Sequence, residues 1–262
     1  MEAEEDILVG VEEGGVATIT LNRPAKRNAV SLAMWRRLAQ IVPQLAQGND
    51  VCVVVLTGSG GHFCAGADIS EFAAVRGDAR SGRIYEAANE AATMALRDCR
   101  KPTIAAVSGY GMGGGCALAL ACDLRVGDAT TRMGIPAARL GVVYGEFDCA
   151  LLLRQLGLAN AKRVLFTGRA FAAGECAAMG LLDILAAGPA LDEARALAAQ
   201  IAANAPLSLA GSKLVLDALA GGTIAARRPE VAAAVEGAMN SADYREGARA
   251  FLEKRKPVFE GR

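Results

Sequence analysis

Residues 101–123 read KPTIAAVSGYGMGGGCALALACD, and few folds accommodate such a run. Residues 103–108 are apolar with several β-branched side chains, the pattern of a buried strand. Residues 109–115 hold five glycines in seven positions, and residues 116–121 are small, apolar helix formers. A strand, a glycine turn and a helix leave backbone N–H groups pointing out of a helix N-terminus. Unpaired donors and the helix dipole make that a place for negative charge, and glycine lets the backbone approach a ligand closely.

Three meanings fit this stretch. Gly109, Gly111 and Gly114 satisfy the dinucleotide pattern G-x-G-x-x-G. The same N–H groups suit a carbonyl oxygen that gains charge during a reaction. The glycines also suit a helix packed tightly on a sheet.

The rest of the chain narrows the choice. Residues 7–12 and 16–21 alternate apolar and polar side chains around Gly14 and Gly15, which predicts a hairpin. Residues 22–28, NRPAKRN, form a polar turn. Ser31 caps a predicted helix reaching about residue 47, with Leu32, Trp35, Leu38, Ala39, Val42 and Leu45 on one face and Pro43 kinking or ending it early. Residues 51–57, VCVVVLT, read as a strand covered on both faces, followed by a second glycine-rich loop, GSGGHFCAGADISE. Two strand–loop units of one plan predict neighbouring parallel strands whose loops meet at one sheet edge, where α/β proteins gather their sites.

Residues 77–83 read as a surface loop, 85–99 as a helix, and 124–127 and 131–134 as short strands. Residues 140–148, LGVVYGEFD, form a loop with two carboxylates in apolar surroundings, followed by helical segments at 150–156 and 160–166. A helical turn at 174–180 and a strand at 182–185 follow. After residue 191 only helices are suggested, with breaks at Pro206, near Gly221 and Gly222, and near Ser241. That change of texture divides the chain into a mixed region, 1–190, and a helical region, 191–262, whose apolar stripes need a partner surface.

Composition excludes several classes. Lys plus Arg and Asp plus Glu number 28 each, a balance that favours neither nucleic acid nor an anionic membrane. No apolar run approaches the ~20 residues of a membrane span. The seven scattered cysteines contain no C-x-x-C pair and suit a reducing compartment. The start, MEAEED, lacks the basic and apolar regions of a signal peptide, so a cytoplasmic location is expected. No metal-ligating cluster stands out.

Six blocks in order resemble the crotonase superfamily, the enoyl-CoA hydratase/isomerase group. They are NRPAKRNAVS at 22–31, HFCAGADISE at 62–71, the opening stretch at 101–123, RLGVVYG at 139–145, VLFTGRAFAAGECAAMGLLD at 164–183 and YREGARAFLEKRKPVFEGR at 244–262. The resemblance implies an α/β fold, a spiral of β-β-α units followed by an all-helical trimerisation region, and homotrimers or dimers of trimers. It implies an acyl-CoA thioester substrate, with coenzyme A as part of the substrate and no separate cofactor. It also implies an enolate held by two backbone N–H groups, on Ala67 and Gly114. Recognition of coenzyme A falls on Ala25, Lys26 and Arg27 and on Ala65, Gly66, Ala67, Asp68, Ile69 and Ser70, with Phe251 and Lys254 reaching the nucleotide of a neighbouring subunit.

The sequence departs from the family where hydratases carry two glutamates: Ala117 and Ala137 occupy those places. Ordinary hydration is therefore not expected, and isomerisation or another non-standard reaction is favoured. Glu146 falls where relatives such as dienoyl-CoA isomerase and chlorobenzoyl-CoA dehalogenase keep an aspartate. Burial among Val142, Val143, Tyr144 and Phe147 would raise its pKa and suit it to proton transfer, with Asp148 as rival or as helix cap. His62, the sole histidine, matches a variable loop position, and Cys64 and Cys116 read as buried thiols rather than nucleophiles. Asp68 and Asp123 read as structural, bonding nearby backbone N–H groups. Three alternatives stay open: a slow or unusual enoyl-CoA hydratase, a catalytically silent coenzyme-A-binding protein, and an NAD(P)-dependent oxidoreductase resting on Gly109, Gly111 and Gly114, although Asp123 and Asp128 come too early for its acidic partner.

Overall fold

The computed structural model describes residues 5–262. The predicted hairpin forms with β1 (Ile7–Glu12) antiparallel to β2 (Val16–Leu21). Ser31 Oγ then accepts from Met34 N and starts α1 (Leu32–Gln47). Pro43 neither kinks nor ends this helix early: it sits inside on the exposed side, where water can reach the carbonyl it leaves unpaired. Strand β3 (Val53–Gly58) follows, then a short α2 (Phe72–Val75) and the long α3 (Ala79–Arg97). The expected loop at 77–83 is shorter: from Ala79 onward it is the start of α3. Asp78 Oδ1 accepts from Arg80 N and Ser81 N at 2.8 Å each, and Ser81 Oγ accepts from Asp78 N, a reciprocal cap that fixes the helix start.

Next come β4 (Thr103–Val107), β5 (Tyr110–Met112) and α4 (Gly114–Ala121), then β6 (Leu124–Gly127), β7 (Arg132–Gly134) and α5 (Glu146–Thr167). Each of these two turns of chain places its first strand in a six-stranded sheet, ordered β1-β2-β3-β4-β6-β9 with β9 at Ile184–Leu185, and its second in a three-stranded sheet, β5-β7-β8 with β8 at Phe171–Ala172. The expected spiral of strand–strand–helix units is this alternation between sheets. Strand β8 (Phe171–Ala172), α6 (Ala173–Met179) and β9 (Ile184–Leu185) complete it. Helix α5 begins four residues before the predicted segment, so Glu146 and Asp148 lie in its first turn rather than in a loop, and Gly157 breaks it near the middle.

The large sheet is covered on both faces, as the continuous apolar runs required. Val54, Leu56, Ala105 and Val107 face a core shared with α1, α3 and α4. Their alternates Val53, Val55, Ile104 and Ala106 face α7 (Ala190–Ala202) through Ala190, Ala194 and Ala198. The predicted division near residue 190 therefore falls at the start of a helix that packs on the sheet. The remaining helices, α8 (Pro206–Ala220), α9 (Ile224–Asn240) and α10 (Ala242–Glu253), leave Leu216, Val235 and Met239 more than half exposed.

Candidate active site

Strands β3 and β4 pair in parallel, Val55 opposite Ile104, so the loops that follow them leave the same end of the sheet. The two loops then bind each other. Cys64 N donates to Tyr110 O at 2.7 Å and Met112 N to Cys64 O at 2.9 Å. The contact is close because of glycine: a methyl carbon at Gly115 would stand 2.5 Å from Cys64 O. Gly66, at φ +102°, turns the first loop toward the second.

That turn orients Ala67. Val30 N donates to Gly66 O and Asp68 N donates to Val30 O, which leaves the Ala67 N–H on the opposite side. Gly114 is the first residue of α4, so its N–H has no partner within the helix. Among the described residues neither N–H has an acceptor. The two lie close together: a methyl carbon at Gly66 would lie 3.5 Å from Gly114 N, and one at Gly114 would lie 3.9 Å from Ala67 N. The dinucleotide reading of Gly109, Gly111 and Gly114 is not sustained. Strand β5 intervenes between β4 and α4 and belongs to the other sheet, so these glycines do not form one strand-to-helix turn.

The turn carrying Ala25, Lys26 and Arg27 is exposed and lies against the first loop, with Ala65 N donating to Arg27 O at 2.9 Å. Asn28, wholly buried, locks this pairing: Nδ2 donates to Ser59 O and His62 O, and Oδ1 accepts from Arg23 N. Sequence reasoning passed over Asn28; its positive φ of 56° and its place after three cations do not announce a buried clamp. Asp68 lies under the same turn. Burial pushes its carboxyl up, but hydrogen bonds from Ser70, Lys26 and Arg23 outweigh that and hold it well below the usual carboxylate range. Asp68 also caps the short 3-10 turn Ile69–Glu71, the structural part expected of it, and Asp123 likewise accepts from Thr103 N. Ile69 and Ser70 are exposed beside it. Phe251 and Lys254 stand exposed on α10 and its C-terminal cap, away from the glycine loops in sequence and carried by the helical region.

The expected burial of Glu146 is not found. It is exposed at the start of α5, because Val142 and Val143 beside it in sequence are themselves exposed, Val143 at 93%. Asp148 is the sheltered carboxylate. It accepts no hydrogen bond among the described residues, and burial, then the charges of Glu86 and Glu90, push its pKa up to about 6. Asp148 caps no helix, since the N-cap of α5 is Gly145. Its charge helps push up the pKa of both Cys116, in α4, and Tyr144. Ala117 and Ala137 are buried and offer no proton. Burial pushes the Cys64 and Cys116 thiols up to about 12, so neither is a nucleophile. His62 stacks on Tyr110 and accepts from Tyr110 N through Nδ1 at 3.3 Å.

The sequence profile of the enoyl-CoA hydratase/isomerase family matches residues 11–262. The chain belongs to the enoyl-CoA hydratase/isomerase family. It is similar to the 2,3-dehydroadipyl-CoA hydratase of Escherichia coli, 34% identical over 94% of this chain and 96% of that protein. It is also similar to the crystal structure of an enoyl-CoA hydratase from Bacillus anthracis, at a TM-score of 0.92 and 30% identity, covering 98% of this chain and 100% of that one. An enoyl-CoA hydratase/carnithine racemase structure from Magnetospirillum magneticum gives a TM-score of 0.92 at 36% identity, covering 99% and 97%. Membership of this hydratase/isomerase family makes the chain an enzyme with the crotonase fold. No helix of the described residues is long and apolar enough to cross a membrane.

Proposed function

We propose that the protein transforms an acyl-CoA thioester through an enolate whose oxygen is held by the N–H groups of Ala67 and Gly114. The observation that carries this reading is that both N–H groups lack acceptors and lie close together where the glycine loops meet. Donors placed before charge develops are worth most in a site shielded from water.

Asp148 moves the proton. A carboxylate with a pKa of about 6 is a competent base near neutral pH. It removes a proton from the acyl chain; the C–H electron pair forms a carbon–carbon double bond as the carbonyl π pair moves to oxygen. Return of the proton to a different carbon relocates the double bond. With Ala117 and Ala137 in the places that resemble the hydratase glutamates, nothing there activates water, so isomerisation is favoured over hydration. Coenzyme A lies along Ala25, Lys26, Arg27, Ala65 and Ser70. Its nucleotide is reached by Phe251 and Lys254 of a neighbouring copy, in a trimer or a pair of trimers.

Turnover of a panel of enoyl-CoA thioesters, followed by mass spectrometry, tests the reading. Double-bond migration without a mass change is expected. A mass gain of one water on crotonyl-CoA, at the rate of a two-glutamate hydratase, refutes the isomerase assignment.

A further inference from the structure

Tyr144 precedes the N-cap of α5, and its loop is tied down on both sides. Val142 N donates to Ala137 O at 3.0 Å, and Cys149 N donates to Gly145 O at 3.1 Å. The ring is half-buried and packs against the main core. Its hydroxyl has no hydrogen-bond partner among the described residues. It lies 3.8 Å from where a methyl carbon at Gly113 would stand, and Gly66 Cα and Pro136 Cδ lie 4.0 Å from that same point. Gly66 and Gly113 immediately precede Ala67 and Gly114. A half-buried phenol without a protein partner, beside the two glycines that precede the free N–H groups, is open to an acceptor brought by a ligand.

We propose that the Tyr144 hydroxyl is a third hydrogen-bond donor to the reacting acyl group, closing over the enolate oxygen from the Gly113 side. This rests on the enolate reading above. The hydroxyl is suited to the task because it stays protonated: burial, then the charges of Cys116 and Asp148, push its pKa up. It donates without delivering its proton, so the step needs no further acid and Tyr144 is unchanged through the cycle. A neutral donor strengthens its bond as the carbonyl oxygen becomes O⁻, and therefore acts on kcat rather than on KM.

Tyr144→Phe removes one oxygen and keeps the ring. Exchange of acyl-chain hydrogens for deuterium from heavy water is read in the wild type and the variant with butyryl-CoA, whose affinity is measured by calorimetry in both. Exchange is expected to fall ~10–100-fold, with butyryl-CoA affinity within about twofold of wild type. Unchanged exchange overturns the proposal, and so does a loss of affinity with the exchange rate at saturation unchanged, because that marks a contact made equally in the ground state. Failure of the variant to fold is recognised by circular dichroism; Tyr144→Trp, which restores an N–H donor on a ring, is then expected to regain part of the exchange, and a folded Trp variant with no exchange overturns the proposal. A wild type that exchanges nothing removes the enolate reading itself, which separates the two failures.

Discussion

The indole of Trp35 lies directly against Gly114: a methyl carbon built there would stand 3.1 Å from two of its ring carbons. The ring is wholly buried and is held by a 2.8 Å hydrogen bond from Nε1 to Tyr85 Oη. It cannot slide away, so the position of the Gly114 N–H is set from beneath by a side chain of α1.

Gly114→Ala should therefore overpack this contact and cost ~1–3 kcal/mol of stability. Urea unfolding measures it, with turnover followed on the same preparation. Turnover is expected to fall further than stability alone explains, since the displaced group is the proposed donor to the substrate. An unchanged unfolding midpoint would show that Trp35 yields freely.

Asp148→Asn separates chemistry from stability through pH. The Asp148 pKa, raised to about 6, means that the folded state binds this proton more tightly than the unfolded chain does. Its contribution is fully present below the ordinary aspartate value, ~4, and is lost as pH rises through about 6. The variant should therefore be more stable than wild type at pH 8, by about 2–3 kcal/mol, and nearly equal to it at pH 4. Wild-type kcat/KM should climb with pH through about 6, and the variant should lose proton exchange at every pH. A Glu146→Gln variant, altered at an exposed side chain, should retain it.

Asp68→Ala leaves the cations of Arg23 and Lys26 without their shared carboxylate. Removing one partner of a sheltered ion pair costs about 3 kcal/mol. The native Asp68 carboxyl is held low, so its stabilisation is present above the ordinary aspartate value and fades as pH falls below it. Thermal melts between pH 7 and pH 3 should show the difference between wild type and variant shrinking toward acid.

The exposed apolar side chains of α8 and α9, Leu216, Val235 and Met239, lead us to expect a trimer or a hexamer in solution. Multi-angle light scattering at micromolar concentration decides this. A monomer would overturn the proposal that Phe251 and Lys254 reach the coenzyme A of a neighbouring copy.

What the sequence disclosed follows from how local each signal is. The hairpin, the Ser31 cap and the two-faced strand β3 are written in contiguous residues, and their limits are found as read or within two residues. The meeting of the two glycine loops was legible because parallel neighbouring strands must release their loops at one end. The start of α3 was hidden by Gly77 and Gly82, although Asp78 and Ser81 already held the spacing of a reciprocal cap. Glu146 departs from the expectation because its apolar neighbours in sequence are not its neighbours in space. Burial depends on which face of α5 meets the core, and that face carries Asp148 part-buried while Glu146 remains exposed. Tyr144 gave no sequence signal, since its role depends on Gly113 and Gly66, both distant along the chain.

The central claim is that Ala67 and Gly114 hold an enolate oxygen. Ala67→Pro removes one of the two N–H groups, and that group makes no hydrogen bond within the described residues, so the fold has no bond to lose. Deuterium exchange from heavy water into the chain of a bound acyl-CoA, with affinity measured alongside and the fold checked by circular dichroism, tests it most directly. The account predicts exchange slowed ~10²–10³-fold with affinity far less affected; equal losses of exchange and affinity in a folded variant would contradict it.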